Sequence, residues 1–211
     1  MSIGAEAVRI AYEADTAHSQ VLAAHAVGLA YLCQGDFSLA LPLLEQTLLR
    51  CQVGHIPIGT RLLASALGYA YALAGRVTDA VSLLEQAVQQ TEDLKVFFRY
   101  SLWLAWLGEA YLLAGHPDDG LHLAQRAVEH ARLHKELGHL AYSFRLLGEI
   151  ASQGPQPDVE KAEAAYHHVS LAGSSNCLAT APLRMTAPRA SLQELVCRHP
   201  SCLDALATQT C

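Results

Sequence analysis

Four glycines, Gly28, Gly68, Gly108 and Gly148, recur at intervals of forty residues, each inside the same short phrase. One copy reads Leu67-Gly68-Tyr69-Ala70-Tyr71-Ala72-Leu73-Ala74-Gly75, and the next Leu107-Gly108-Glu109-Ala110-Tyr111-Leu112-Leu113-Ala114-Gly115. An earlier copy begins at Val27, and a shorter one, Leu147-Gly148-Glu149-Ile150-Ala151, follows. Self-similarity at a fixed period of this size requires stacked units, because one unit alone cannot bury its apolar face. The constraint points to a repeat solenoid, and from there toward binding rather than catalysis.

Each copy continues past its second glycine with a further apolar pattern: Ala40, Leu44 and Thr47; Ala80, Leu84 and Ala87; Gly120, Ala124 and Ala127. The unit is therefore helix, tight turn, helix. Gly35, Gly75 and Gly115 suit the left-handed position just past a helix end. Asp36 suits a helix cap and Pro117 a first turn. Gly28, Gly68 and Gly108 are expected to face Ala40, Ala80 and Gly120, since two helices cross closely only where both carry little side chain. This Leu-Gly-x-x-Tyr pattern with its later Ala resembles the tetratricopeptide repeat (TPR). The period exceeds the usual thirty-four, so longer helices or longer inter-repeat loops must absorb the surplus.

The longer strings carry a closer resemblance. Ala64 to Arg76, Leu104 to Gly115 and Leu146 to Ala151 look like the C-terminal TPR region of large bacterial signalling proteins. Those proteins place an adenylate or guanylate cyclase domain, then a nucleotide-binding ATPase domain, before such repeats. The resemblance covers about Ile3 to Ala172. No residue matches a cyclase or ATPase motif, so neither activity is implied for the chain itself.

Composition narrows the partners. Of 211 residues, 52% are apolar and 16% charged, which fits an Ala/Leu-rich helical protein with much buried surface. A net charge of −6 gives no basic face for nucleic acid or an anionic membrane. The N-terminus shows no basic stretch followed by an apolar core, and the uncharged run Leu62–Gly75 is too short to span a bilayer. A cytoplasmic protein is the expectation, with Cys33 and Cys51 as buried free thiols.

The pattern predicts an all-α solenoid over residues 1–172. A first helix over Ile3–Asp15 precedes pairs at 18–34 with 37–51, 58–74 with 77–92, 97–114 with 117–133 and 137–152 with 158–172. The fourth turn, from Gly154 to Asp158, holds two prolines that forbid a continuous helix, and Asp158 suits the cap. Residues 173–211 read as an irregular tail, interrupted by Pro182, Pro188 and Pro200, and the phrase due near residue 190 is absent. Two origins fit: a natural divergent tail, or a reading-frame slip. One encoding of Gln193–Pro200, read a base later, gives Arg-Asn-Leu-Tyr-Ala-Ala-Thr-Arg.

Candidate sites divide into weak and strong. Cys197, His199 and Cys202 are too loosely spaced for a zinc site, and Cys177 or Cys211 would have to complete it. His130 and His134, four apart with His139 nearby, read as a solvated helix end, and His167-His168 as helix surface. Phe97, Phe98, Tyr100, Trp103 and Trp106 read as packing between neighbouring repeats, with an aromatic anchor pocket as the alternative. No phosphate loop, nucleophile elbow or paired-carboxylate constellation is present, so no enzyme, metal or cofactor is expected.

The first helices of a TPR stack line a concave face. The residues expected there include Leu22 and Leu62, and chiefly His25, Leu29, Ser65, Tyr69, Ala105, Glu109, Leu112, Tyr142, Arg145 and Glu149. Chaperone-binding relatives clamp a C-terminal carboxylate with Lys and Asn at positions here held by His25, Ser65, Ala105, Leu29, Tyr69 and Glu109. None of these is Lys or Asn, so that clamp is absent. The expected function is a non-catalytic interaction or regulatory module for a protein, a peptide or a neighbouring domain. It would be a fragment or relative of a cyclase–ATPase–TPR protein. Part of a cyclase whose catalytic domain lies outside the chain, and a solenoid sensing a small effector, are the alternatives.

Overall fold

The computed structural model describes residues 3–14, 16–153 and 158–173. Among them are nine α-helices and no strand. They are α1 (Ile3–Glu13), α2 (Ala17–Gln34), α3 (Phe37–Val53), α4 (Pro57–Leu73), α5 (Val77–Leu94), α6 (Tyr100–Leu113), α7 (Pro117–Leu133), α8 (Leu137–Gln153) and α9 (Val159–Gly173). The tail beyond 173, its cysteines and the turn at 154–157 lie outside the described residues. No helix among the described residues is long and apolar enough to cross a membrane.

The helices themselves absorb most of the surplus in the period: α2 to α5 each run 17 or 18 residues. Their ends repeat as faithfully as their cores. Gly35, Gly75 and Gly115 adopt φ of +81°, +80° and +82°. The N–H of the next residue then donates back across the turn, Asp36 to Tyr31, Arg76 to Tyr71 and His116 to Tyr111. This satisfies carbonyls the helix would otherwise leave open. The inter-repeat turns use the same device with His55, Lys95 and Lys135, at φ of 52°, 52° and 57°. Arg99 is also left-handed, so α6 starts at Tyr100, three residues later than the periodicity predicts.

Asp36 stands at the N-cap of α3 but makes no side-chain cap hydrogen bond. Its ψ of 65° departs from the extended backbone that normally aims a cap side chain at the first turn. Asp158 does cap, accepting from the Lys161 N–H at 3.0 Å.

Consecutive helices pack against one another along the chain, and α2, α4, α6 and α8 also touch in sequence. That makes the even-numbered layer the tighter, inner one. Leu44, Leu63, Leu84, Leu104 and Leu146 are fully buried between the layers. A tyrosine–carboxylate link recurs one repeat apart: Tyr71 donates to Glu45 at 2.7 Å, and Tyr111 to Glu85. The glycine crossings hold with one change of partner. A Cβ on Gly68 would meet Leu84 and the Ala80 carbonyl, and one on Gly108 the Gly120 carbonyl. On Gly28 it would meet Leu44 rather than Ala40. Cys51 is buried as expected, whereas Cys33 is exposed, because its position near the end of α2 turns away from α3.

Candidate functional site

The inner layer gathers five of the ten chief groove candidates around one carboxylate. Glu109 on α6 is 1% exposed. Its Oε2 accepts from the Tyr142 hydroxyl and, at 2.9 Å, from Arg145 Nη2. Arg145 Nη1 donates to Glu149 one turn further along α8, a spacing that puts both side chains on one face. The guanidinium lies over the Tyr142 ring, 4.4 Å from its centre. Tyr69 of α4 stacks on Trp106 of α6 at 4.6 Å between centroids, and meets Tyr142 edge-on at 6.4 Å. Three inner helices thus share one aromatic and charged cluster.

Burial sets the protonation of this cluster. Tyr69 and Tyr142 are pushed above the ordinary tyrosine range, first by desolvation and then by the Glu109 charge. Both remain neutral donors. Desolvation works against the charge of Arg145, but Glu109, Tyr142 and Glu149 outweigh it and its pKa rises. The Arg145 guanidinium lies between the carboxyl groups of Glu109 and Glu149. Glu109 Oε1 has no donor among the described residues.

The other five candidates do not join the cluster. Ser65 and Ala105 are fully buried, with the Ser65 hydroxyl bonded to the Leu62 carbonyl at 2.9 Å. Leu29 and Leu112 pack partly buried against the hydrophobic core. His25 is 6% exposed and stands apart, feeling the charge of Arg99. Trp106 is the member that sequence reasoning assigned to packing between repeats, with an anchor pocket as the alternative. Arg61 and Arg99 escaped it altogether, although Arg61 is the one charge in the otherwise uncharged helix α4.

Of the aromatic run, Tyr100, Trp103 and Trp106 are buried, while Phe97 and Phe98 are exposed because the left-handed Arg99 turns them out ahead of α6. His130 is not solvated. Its ring sits 4.2 Å from that of His134 and 5.0 Å from that of Tyr100, and its Nδ1 lies 3.9 Å from Glu136. No three His, Cys, Asp or Glu among the described residues are placed to hold a metal ion. On the outer side, a cleft of about 580 Å³ opens between α5, α6 and α7. Of its lining charges, Glu85 is engaged by Tyr111 and Glu92 by Arg126, while Asp119 lies 4.0 Å from His116.

His25 provides a pH signature. Burial, then the Arg99 charge, lower its pKa from 6.5 to about 4. The unfolded chain therefore binds a proton that the folded chain refuses between those values. The stability His25 contributes is complete above pH 6.5 and is lost as pH falls toward 4. His130 and His139 are lowered as well, and act in the same direction. His25→Gln is expected to remove about 2 kcal/mol of the stability lost between about pH 6.5 and 5. Urea midpoints of both proteins at about pH 7 and 5 measure it, and equal losses in the two would sink the assignment.

The comparisons with known proteins agree with this architecture. A crystal structure of a substituted form of Podosopora anserina putative kinesin light chain nearly identical TPR-like repeats aligns with a TM-score of 0.51. The alignment covers 74% of this chain and 76% of that one, at 19% identity. The fold is a TPR-like α-solenoid. A second crystal structure of those repeats aligns over the same shares at 19% identity, with a TM-score of 0.49. No family model matches the chain, and no curated protein matches it.

Proposed function

We propose that this TPR-like solenoid is a protein–protein interaction module that holds an extended or helical segment of a partner along its inner layer. The observation that carries the reading is a contrast within the repeat. The scaffold positions recur, as Gly28, Gly68, Gly108 and Gly148 and as the Tyr71–Glu45 and Tyr111–Glu85 links. The inner-layer positions do not repeat in this way: His25, Ser65, Ala105 and Arg145 all differ, and at the next position Leu29 and Tyr69 give way to glutamate, Glu109 and Glu149. A layer that varies where its scaffold repeats is built for a particular ligand rather than for stacking.

The acidic and aromatic character of the Glu109 cluster favours a partner segment with basic or other donor groups beside an apolar anchor. The resemblance to cyclase–ATPase–TPR signalling proteins makes a nucleotide-binding or cyclase domain the first partner to test, in a bacterial cytoplasmic setting. Peptide display against the purified chain is the direct experiment. Enriched peptides are expected to be basic and aromatic, and to lose tenfold or more in affinity on Glu109→Gln. They should keep it on Leu121→Gln, on α7 away from the inner layer. Failure to enrich any consensus, or sensitivity to Leu121 alone, would overturn the reading.

A further inference from the structure

We infer that the edge of the solenoid made by its inter-repeat turns is a docking surface for an anionic lipid bilayer. Three turns build it, α3 to α4, α5 to α6 and α7 to α8. Successive helices pack together across short turns and so run alternately up and down, while α4, α6 and α8 also touch in sequence. The three turns therefore lie side by side at one end of the helices. Phe97 of the second turn reaches the third, its ring 5.9 Å from that of His130 in the last turn of α7. The four most exposed large apolar side chains of the described residues all stand at this edge: Leu133 at 77%, Val53 at 74%, Ile58 at 68% and Phe98 at 65%. Exposed apolar residues are ordinary when scattered singly, but gathered on one surface they mark a place of contact.

Charge identifies the occupant. Across residues 49–58, 92–99 and 130–137 the exposed bases are Arg50, Lys95, Arg132 and Lys135, and the one exposed acid is Asp93. Glu92 and Glu136 are drawn inward, held by Arg126 and by Ser101. The turns put a basic residue at each apex, His55, Lys95 and Lys135, all left-handed. Lysine is uncommon in that conformation, and the opposite turns use Gly35, Gly75 and Gly115 for it. The turn geometry alone therefore does not call for a base. The opposite edge carries the reverse charge, with Asp36, Asp79, Asp118 and Asp119 exposed beside Arg76. The net charge of −6 averages the two edges and so conceals the basic one. A second copy of the chain fits less well. Pairing like edges sets lysine against lysine, and pairing unlike edges builds an open chain rather than a closed dimer. Anionic headgroups meet the bases while the apolar tips enter the acyl boundary. No helix needs to cross the bilayer for this.

The test is sedimentation of the full chain with vesicles of phosphatidylcholine, alone or mixed with phosphatidylglycerol. The mixed vesicles should bind it and the neutral ones should not, and added salt should weaken the binding. Phe98→Ser with Leu133→Ser, and separately Lys95→Gln with Lys135→Gln, should each weaken it roughly tenfold or more. These side chains are exposed, so the fold should survive, and unchanged melting by circular dichroism checks that. Leu39→Ser, 51% exposed at the opposite edge, should leave binding as it is. Phe98→Trp should be quenched by brominated lipid in the mixed vesicles, whereas Trp103 and Trp106, each 3% exposed, should not. Absence of binding to the mixed vesicles would overturn the inference, and so would binding that both double substitutions leave intact. A dimer that Phe98→Ser with Leu133→Ser dissolves, or capture of polyglutamate, in either case without vesicle binding, would assign the edge to a protein and refute the lipid reading.

Discussion

Arg145→Met is expected to destabilise the protein by roughly 3–5 kcal/mol, the range for removing one partner of a buried ion pair. The reason is specific to what remains. Glu109, 1% exposed, and Glu149, 6% exposed, would face each other across the gap left by their common guanidinium. The Tyr142 hydroxyl would still donate to Glu109, but a neutral donor does not balance two buried negative charges. Methionine fills much of the volume of the arginine stem, so the loss measures charge rather than a cavity. A second substitution separates the two. Glu109→Gln alone leaves Arg145 paired with Glu149 and should cost less. Combined with Arg145→Met, it should recover part of the loss, since one uncompensated carboxylate is gone. Chemical-denaturation midpoints for the two single variants and the double give the coupling directly. Strict additivity would mean that the cluster is not a connected network, and the candidate site built on it would fall.

The sequence announces the scaffold loudly and the site quietly, for physical reasons. Backbone demands recur in every unit, so Gly35, Gly75 and Gly115 mark the left-handed turns in advance. Gly68 and Gly108 likewise mark the crossings. The register of the inner helices follows, and it brings Glu109, Tyr142, Arg145 and Glu149 to one layer. It does not tell which inner positions are open to a ligand and which are filled. Ser65 and Ala105 stand at the same repeat position as Arg145, yet both are sealed. The difference lies in side-chain size: small residues sink between neighbouring helices, while a long guanidinium reaches across to the next. Trp106 was legible as an aromatic but not as the partner of Tyr69, because stacking depends on the curvature between repeats rather than on the repeat itself. Arg61 carried the clearest unheeded signal. A lone charge in a helix otherwise free of charge is costly to bury, and a residue there calls for a reason.

Gly108→Leu is expected to lower the protein's stability by roughly 3 kcal/mol, the upper part of the usual range for overpacking a core. A Cβ at Gly108 would stand 3.1 Å from the Gly120 carbonyl oxygen, 3.1 Å from Leu146 Cδ2 and 3.3 Å from Leu123 Cβ. From the other side of the crossing, a Cβ at Gly120 would stand 2.9 Å from the Gly108 carbonyl oxygen. Two of these obstacles are backbone, which cannot turn aside as a side-chain tip can. The remaining carbons of leucine would have to enter an interior packed as densely as an organic crystal. One opposing effect exists: leucine is the better helix former, by up to about 1 kcal/mol. Gly138 isolates that effect, because it lies in the first turn of α8 with nothing within 4 Å of its added Cβ. Gly138→Ala should therefore be neutral or mildly stabilising. The contrast between the two variants is the decisive reading. Leu146 belongs to α8, so the damage at Gly108 should spread from the α6–α7 pair into the helix that carries Arg145 and Glu149. Hydrogen exchange should show faster amide opening in α8 than in α2. If Gly108→Leu leaves the denaturation midpoint where Gly138→Ala does, the α6–α7 crossing is not where the repeat register puts it, and the inner-layer assignments that share that register lose their footing.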